Sequence, residues 1–557
     1  MEVPIPAFVV DVGSLATRVG YAGDDCPWQF HPSFVGISAS SKELRFPLSF
    51  SEKRRHLAVE PCLYPTFPSA SSLSPSPSSS PASLLPSYSL HEDAFECILR
   101  SSISCCLSPS PAACAPAGDF CAPDDFGAAG ESLRDFPVLL SEPNLHCRAL
   151  REKMVELAFE KLDVPALYLA PRAMLACFAV GRSGGLVVDV GASSLSIAPV
   201  VEGFCLHREA GEWPVAGDFL DRVFSCALTR HNLPLLPLFA THKKYGAGAG
   251  GGGGGASASA PLLGSTRPHA ASSAAVGADA GAKARAQARR RELLDWEGVE
   301  ESFLYQSQAA ALRHMRETFC SLFLGEAPTA AEPKPAAATG GPGLAPEKAP
   351  QKCPLRPLAL PAPAREKAFA PSRWLAMLPA PGGNVRSLHG ASVALLGSQN
   401  ALELPDGTRL QGDELSNTIP EVLFHPQAIL QPLAEEEAWV CEPAVEAFRG
   451  ITEEIHAVAS RVEAEARKDV FNGIVLAGGC SGIPGLYERL SRELTRDASI
   501  TMGLKWRLLA LPSLFERRIS SWIGGSILAS MSAFQSLWCS REEYDEHGAS
   551  IVERKCY

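Results

Sequence analysis

AFVVDVGS, residues 7–14, is the first patterned stretch of the chain. Phe8, Val9, Val10 and Val12 surround a single acid, Asp11, and Gly13-Ser14 follow at once. A run this short, rich in β-branched residues and closed by glycine, reads as a buried strand ending in a tight turn. The same device returns as LVVDVGAS, residues 186–193, where Asp189-Val190-Gly191-Ala192 echoes Asp11-Val12-Gly13-Ser14. Two copies in chain order predict two similar halves, each built on a strand, a turn and a returning strand. A third signal is Gly478-Gly479 in FNGIVLAGGCSGIPGLYERLSREL, residues 471–494. It reads as a strand, a glycine loop and a helix beginning near Pro484.

A strand that ends in Asp-x-Gly can do two things at once. Its backbone N–H groups reach phosphate oxygens because no side chain blocks them, and its carboxylate can order water around a cation. Magnesium prefers oxygen ligands and keeps several waters, so two carboxylates facing a triphosphate would suffice. Asp11 and Asp189 are the candidates for those carboxylates, and Gly478 and Gly479 would let the backbone approach a flat base or ribose. One such turn is usually just a hairpin. The ordered combination is far more specific, and it resembles the ATPase superfamily of actins, sugar kinases and seventy-kilodalton heat-shock proteins.

The remaining patterning suits a large two-lobed α/β protein. At 557 residues, 46% hydrophobic and 20% charged, the chain can bury more than one core. A net charge of −11 argues against a dedicated phosphate-backbone binder, so any role near DNA should run through partner proteins. The 17 cysteines show neither CxxC pairs nor zinc-ligand spacing and read as thiols of a reducing compartment. No run approaches the roughly 20 apolar residues of a membrane span. Residues 144–164 predict a helix with Leu150, Met154, Leu157 and Phe159 on its apolar stripe and Arg148, Arg151, Glu152 and Lys153 toward water. Asp406-Gly407 in LELPDGTRL signals a hairpin. Four stretches break the pattern and read as surface insertions: Pro65 to Ser89, Ser104 to Gly130, Ala247 to Ala288 and Ala327 to Pro381. They carry too few large apolar side chains to offset the entropy of ordering.

Longer stretches narrow the resemblance to actin. DVGSLATRVGYAGDDCPWQFHPSFVG (11–36) is similar to actin's opening phosphate loop and the strand after it, and residues 136–175 to its next helix and strand. Residues 181–204 and 516–557 are similar as well, the latter almost position for position with actin's carboxyl-terminal segment. The resemblance implies an actin-like ATPase fold of two lobes and four subdomains, each lobe a mixed β-sheet flanked by helices. Subdomain 1 would comprise residues 1–45, 91–178 and 519–557, and a reduced subdomain 2 residues 46–90. Subdomain 3 would take 179–215 and 440–518, and subdomain 4 residues 216–439, with insertions at about 247–288 and 327–381. It also implies a bound ATP with Mg²⁺ or Ca²⁺. Phosphate contacts would fall on Gly13, Ser14, Leu15, Arg18, Gly191 and Ala192, with Arg18 standing where actin has lysine. Arg316, Glu317, Gly478, Gly479 and Arg518 would surround the adenosine.

Two departures bear on turnover. Actin's water-positioning glutamine and proton-relaying histidine correspond to Arg172 and Ser196, and Ala192 replaces an acid in the second phosphate loop. A guanidinium is no base and a lone hydroxyl is a poor one, so little or no hydrolysis is expected. GYAGDDCP (20–27), CFAVGRSGG (177–185), DVGAS (189–193), AGDFL (216–220) and EEYDEHGAS (542–550) resemble the fourth, nuclear class of actin-related proteins. That class implies a structural subunit of chromatin remodelling or histone acetyltransferase complexes, partnered by monomeric actin and a helix of the remodelling ATPase or a scaffold, and meeting nucleosomes indirectly. On the helix SWIGGSILASMSAFQSLW (521–538), Trp522 and Phe534 read as core, while Leu528 and Met531 are the groove candidates beside Ile527. Lys53-Arg54-Arg55 and residues 283–291 are candidate import signals. A filament-forming ATPase is the alternative. It is disfavoured because the regions actin uses for polymerisation are replaced or interrupted by insertions. A small-molecule kinase lacks the spare catalytic Asp it would need.

Overall fold

The computed structural model describes residues 6–68, 85–107, 133–230, 235–240, 296–322, 401–403, 409–411, 413–434 and 437–556. Two central sheets repeat one plan. In the first, β1 (Phe8–Val12) returns antiparallel as β2 (Ala16–Tyr21) and continues to β3 (Gln29–Pro32). On its other side β9 (Val138–Glu142) and β10 (Ala166–Pro171) lie parallel to it, with β19 (Cys539–Ser540) at the edge. In the second, β11 (Gly185–Val190) returns as β12 (Leu195–Val201), which pairs β13 (Phe204–Cys205) and β14 (Gly211–Trp213). Its parallel neighbours are β17 (Ile474–Ala477) and β18 (Leu508–Ala510). The two expected halves are therefore present, each with a DxG hairpin at its centre. Every residue of β1 and β9 is buried, as expected when helices cover both faces of a sheet.

Three smaller sheets are present among the described residues. β4 (Phe34–Ser38) pairs β5 (Leu44–Arg45) and β6 (Leu57–Pro61), and β7 (Leu63–Thr66) pairs β8 (Ser87–Leu90). β15 (Ala401–Glu403) pairs β16 (Arg409–Gln411), so the expected Asp406-Gly407 hairpin joins paired strands although the turn itself lies outside the described residues. The ends of two presumed insertions are ordered. Pro65 and Thr66 pair with Tyr88 and Ser87, and Ser104 to Leu107 belong to helix α1 (Glu92–Leu107). Serine-rich composition hid both, because strand pairing and a buried helix face at Ser102, Ile103 and Cys106 supply what the local sequence lacks. The Ala247–Ala288 and Ala327–Pro381 stretches and the basic run at 283–291 lie outside the described residues.

Helix α2 (Arg148–Glu156) runs on through a π turn at Leu157–Lys161. Leu150, Met154, Leu157 and Phe159 are buried as their spacing predicts, but Arg151 is not on the water face. It is 5% exposed and bonds Glu142, Glu553 and the carbonyl of Cys556, partners the local pattern could not reveal. Helix α3 (Arg172–Ala179) lies between the lobes. Met174 and Leu175 join the first sheet's core, while Ala173, Ala176 and Cys177 pack toward Val187, Ala198 and Val475 of the second.

On the second lobe, α4 (Gly217–Arg230) buries Phe219, Leu220, Val223, Phe224, Ala227 and Leu228 along one helical stripe. Helix α5 (Glu301–Phe319) lies beside α4, and α6 (Leu486–Arg496) starts two residues after Pro484 because Gly482 closes a 3₁₀ turn first. Helix α7 (Ser520–Ser530) crosses α3. Trp522 and Phe534 are core; of the two groove candidates Met531 is 48% exposed, but Leu528 is half-buried against the first core, because the helix turns Ile527, 42% exposed, outward instead. The outer ends of the lobes also touch: Phe34, Leu48, Leu57 and Val59 pack with Phe239, Ala240 and Phe303, and Ser307 Oγ donates to the Phe50 carbonyl.

Candidate nucleotide site

The two DxG hairpins meet face to face. In each, the glycine N–H bonds the carbonyl three residues on, Gly13 to Ala16 and Gly191 to Ser194, both at 3.0 Å. Ser193 Oγ then donates to Ser14 Oγ at 2.8 Å, so one loop is tied directly to the other. Behind the first loop, Asp11 accepts from Arg18 Nη1 at 2.6 Å and from Ser141 Oγ at 2.6 Å. Arg172, at the start of α3, donates Nη2 to the Val12 carbonyl and holds Nε 3.7 Å from Asp11 Oδ1. It lines the cleft. Burial pushes the Asp11 carboxyl upward, but Arg18 and Arg172 with the Ser141 hydroxyl outweigh it and hold the group below its ordinary value. Asp189 goes the other way: burial raises it, and Arg172 offsets that only in part.

The opposite wall comes from α4, α5 and the glycine loop after β17. Arg316, 2% exposed, bonds Asp221 at 2.6 Å, and Arg313 reaches Asp218 and Asp221. Glu317, which stays exposed, pairs with Arg518 at 3.1 Å, so of the two residues Arg316 is the one withdrawn from solvent. Gly478 takes φ +87°, and a Cβ there would lie 2.3 Å from Asp189 Oδ1 and 2.4 Å from the Val190 carbonyl. Only glycine meets both demands. Gly478→Ala is therefore expected to weaken nucleotide binding by at least about a hundredfold, because it pushes Asp189 and the second loop out of place. Fluorescent ATP-analogue titration checks this, and wild-type affinity in the variant would contradict it.

Every residue expected from sequence to contact nucleotide or metal lines one cleft of about 510 Å³, within the range of small-molecule sites. The first loop supplies Gly13, Ser14 and Leu15, with Arg18 and Asp11 behind it. The second supplies Gly191 and Ala192 with Asp189, and the far wall Arg316, Glu317, Gly478, Gly479 and Arg518. Sequence reading missed several others. Tyr88 donates its hydroxyl to Glu212 at 2.6 Å, tying the β7–β8 stem to the second lobe, and Ser194 donates to the same carboxylate at 2.5 Å. An acid inside the apolar stretch around β14 was the available signal for Glu212, whereas Tyr88 was masked by its serine-rich surroundings. Ser196 accepts from Asn144 Nδ2 at 2.6 Å.

A nucleotide fits these residues. The Nε groups of Arg18 and Arg172 are buried without an acceptor, as donors prepared for an anion would be. A divalent ion at Asp11 fits less well, because Arg18 holds Oδ2 and Ser141 holds Oδ1.

Paired hairpins of this kind, gripping a cleft between two like-built lobes, define a class, and the family model described as Actin matches residues 3–251 and 286–557. The chain belongs to the actin family. Over 560 residues it is 26% identical to Actin-related protein 4 of Oryza sativa subsp. japonica, covering 99% of this chain and 98% of the relative. Actin-related protein 4 of Arabidopsis thaliana is 24% identical over 583 residues, with 99% and 98% covered, and that of Emericella nidulans 26% over 557 residues, with 99% and 96% covered.

Proposed function

We propose that this chain is a nuclear actin-related protein, an ATP-binding structural subunit of chromatin remodelling or histone acetyltransferase complexes that hydrolyses nucleotide slowly or not at all. Similarity along its whole length to proteins named Actin-related protein 4 supports the class. The observation that carries the mechanistic part is Arg172: a permanently charged side chain, fixed on the Val12 carbonyl and facing Asp11, stands where water would be oriented for attack. Ser196, a hydroxyl already accepting from Asn144, is itself a poor base.

Bound ATP supplies a polyanion that cross-links the two lobes. The N–H groups of the Ser14–Leu15 and Gly191–Ala192 turns and the Arg18 guanidinium would hold its phosphates, and the wall of Arg316, Glu317, Gly478, Gly479 and Arg518 its adenosine. A ligand that binds only the folded, closed chain stabilises it by about 2.7 kcal/mol at a hundred times its Kd, reason enough to keep the cleft without turnover. Monomeric actin and a helix of a remodelling ATPase or scaffold are the proposed partners, the latter docking beside the exposed Ile527 and Met531.

Affinity purification of the tagged chain, with phosphate release measured on the purified protein, tests the proposal. Actin and remodelling or acetyltransferase subunits should co-purify, with turnover far below that of filamentous actin. Rapid turnover, or recovery of the chain alone, would refute it.

A further inference from the structure

We infer that this cleft binds the phosphates of ATP without a divalent cation, Arg18 and Arg172 supplying the positive charge that the ion would otherwise bring. The inference rests on the nucleotide-binding reading above and specifies which form of the ligand the site takes.

The geometry at Asp11 carries it. Two guanidiniums, with nitrogens at 2.6 and 3.7 Å, share one carboxylate whose other hydrogen bond comes from Ser141. Hydrated magnesium needs carboxylate oxygens free to accept from its waters. Here each oxygen already accepts from one donor, which takes up part of its capacity, and a dication would sit beside two fixed positive charges. The other acids of the cleft are also engaged. Glu212 accepts from Tyr88 and Ser194, and Glu317 is paired with Arg518, which leaves Asp189 alone to face a cation.

For a phosphate chain the balance is the reverse. Two guanidiniums lie within 4 Å of one carboxylate behind the first loop, and Asp189, which burial pushes toward its neutral form, faces them from the second. Guanidinium stays protonated and its planar fork matches phosphate oxygens two at a time. The unaccepted Nε groups of Arg18 and Arg172 are donors already desolvated, so an oxygen reaching them removes an existing penalty. Arg172 is held in place by the Val12 carbonyl from the same hairpin that presents Ser14, which couples the charge to the phosphate loop.

Isothermal titration of the full-length, nucleotide-stripped chain with ATP, once in excess EDTA and once in magnesium chloride, decides the matter. The expected Kd values agree within about threefold. In Arg172→Gln the EDTA titration should weaken at least about tenfold while magnesium restores most of the loss. Binding by wild type only in magnesium overturns the inference and leaves the nucleotide-binding reading standing. No heat under either condition overturns both. An Arg172→Gln chain that binds in EDTA as wild type does removes Arg172 from the account. Circular dichroism establishes that the variant folds, and if it does not, the paired wild-type titrations decide alone.

Discussion

Adding one methyl group at Gly524 should destabilise the chain by about 3 kcal/mol or more, at the upper end of what overpacking costs. Helix α7 crosses α3 so closely that a Cβ at Gly524 would lie 1.8 Å from the Leu175 carbonyl oxygen and 2.5 Å from its carbon. Both atoms are backbone, so no rotamer change relieves the contact, and α3 cannot retreat because its other face packs on the second lobe at Ala173, Ala176 and Cys177. A Cβ on Gly525 would lie 2.7 Å from Val9 Cγ1, so α7 is packed as closely on β1 and has no room to roll away. Gly524→Ala should therefore lower the thermal midpoint and shift α3, carrying Arg172 with it and weakening ATP binding as well. Calorimetry together with nucleotide titration reads both effects, and a variant as stable as wild type would contradict this packing.

Arg151→Ala is expected to cost about 3–5 kcal/mol, because it leaves a buried carboxylate without its counter-charge. Glu142, at the end of β9, is 3% exposed and depends on Arg151 at 2.9 Å, while the same guanidinium holds Glu553 and the Cys556 carbonyl and so anchors the carboxyl-terminal segment. The pH dependence follows from its sign. Burial raises the Glu142 carboxyl to about 6 from 4.5, with Arg151 and His146 offsetting only part of the rise. The folded chain therefore binds this proton more tightly than the unfolded one. Its contribution to stability is complete below the unfolded value and is lost as pH climbs through about 6. Without Arg151 the folded value moves higher still, so the deficit of the variant should be larger near about pH 8 than near about pH 5. Urea unfolding at the two pH values measures it, and an equal or smaller deficit at the higher pH would exclude Arg151 as the stabilising partner.

Much of the cleft was legible because its elements are local. A strand of β-branched residues closed by Asp-x-Gly carries its own turn within eight residues, and the repeat at Asp189 announces the second lobe. The glycine loop at Gly478 and the buried stripe of α2 follow from spacing and backbone freedom alone. These features need no knowledge of distant segments, so composition and period were enough.

Charged side chains were the opposite case, because what a guanidinium does is set by which acid it meets. Arg151 reads as a solvated helix residue until Glu553 arrives from 402 positions away. Nothing local shows that Arg172 meets Asp11, and Tyr88 reads as a loop residue until it closes on Glu212, 124 positions on. The chain by itself determined that two DxG hairpins exist and where they turn. Only the packing of α3 between the lobes, backed by α7 on the first sheet, decided that those loops face each other, and that arginines occupy the ground between them.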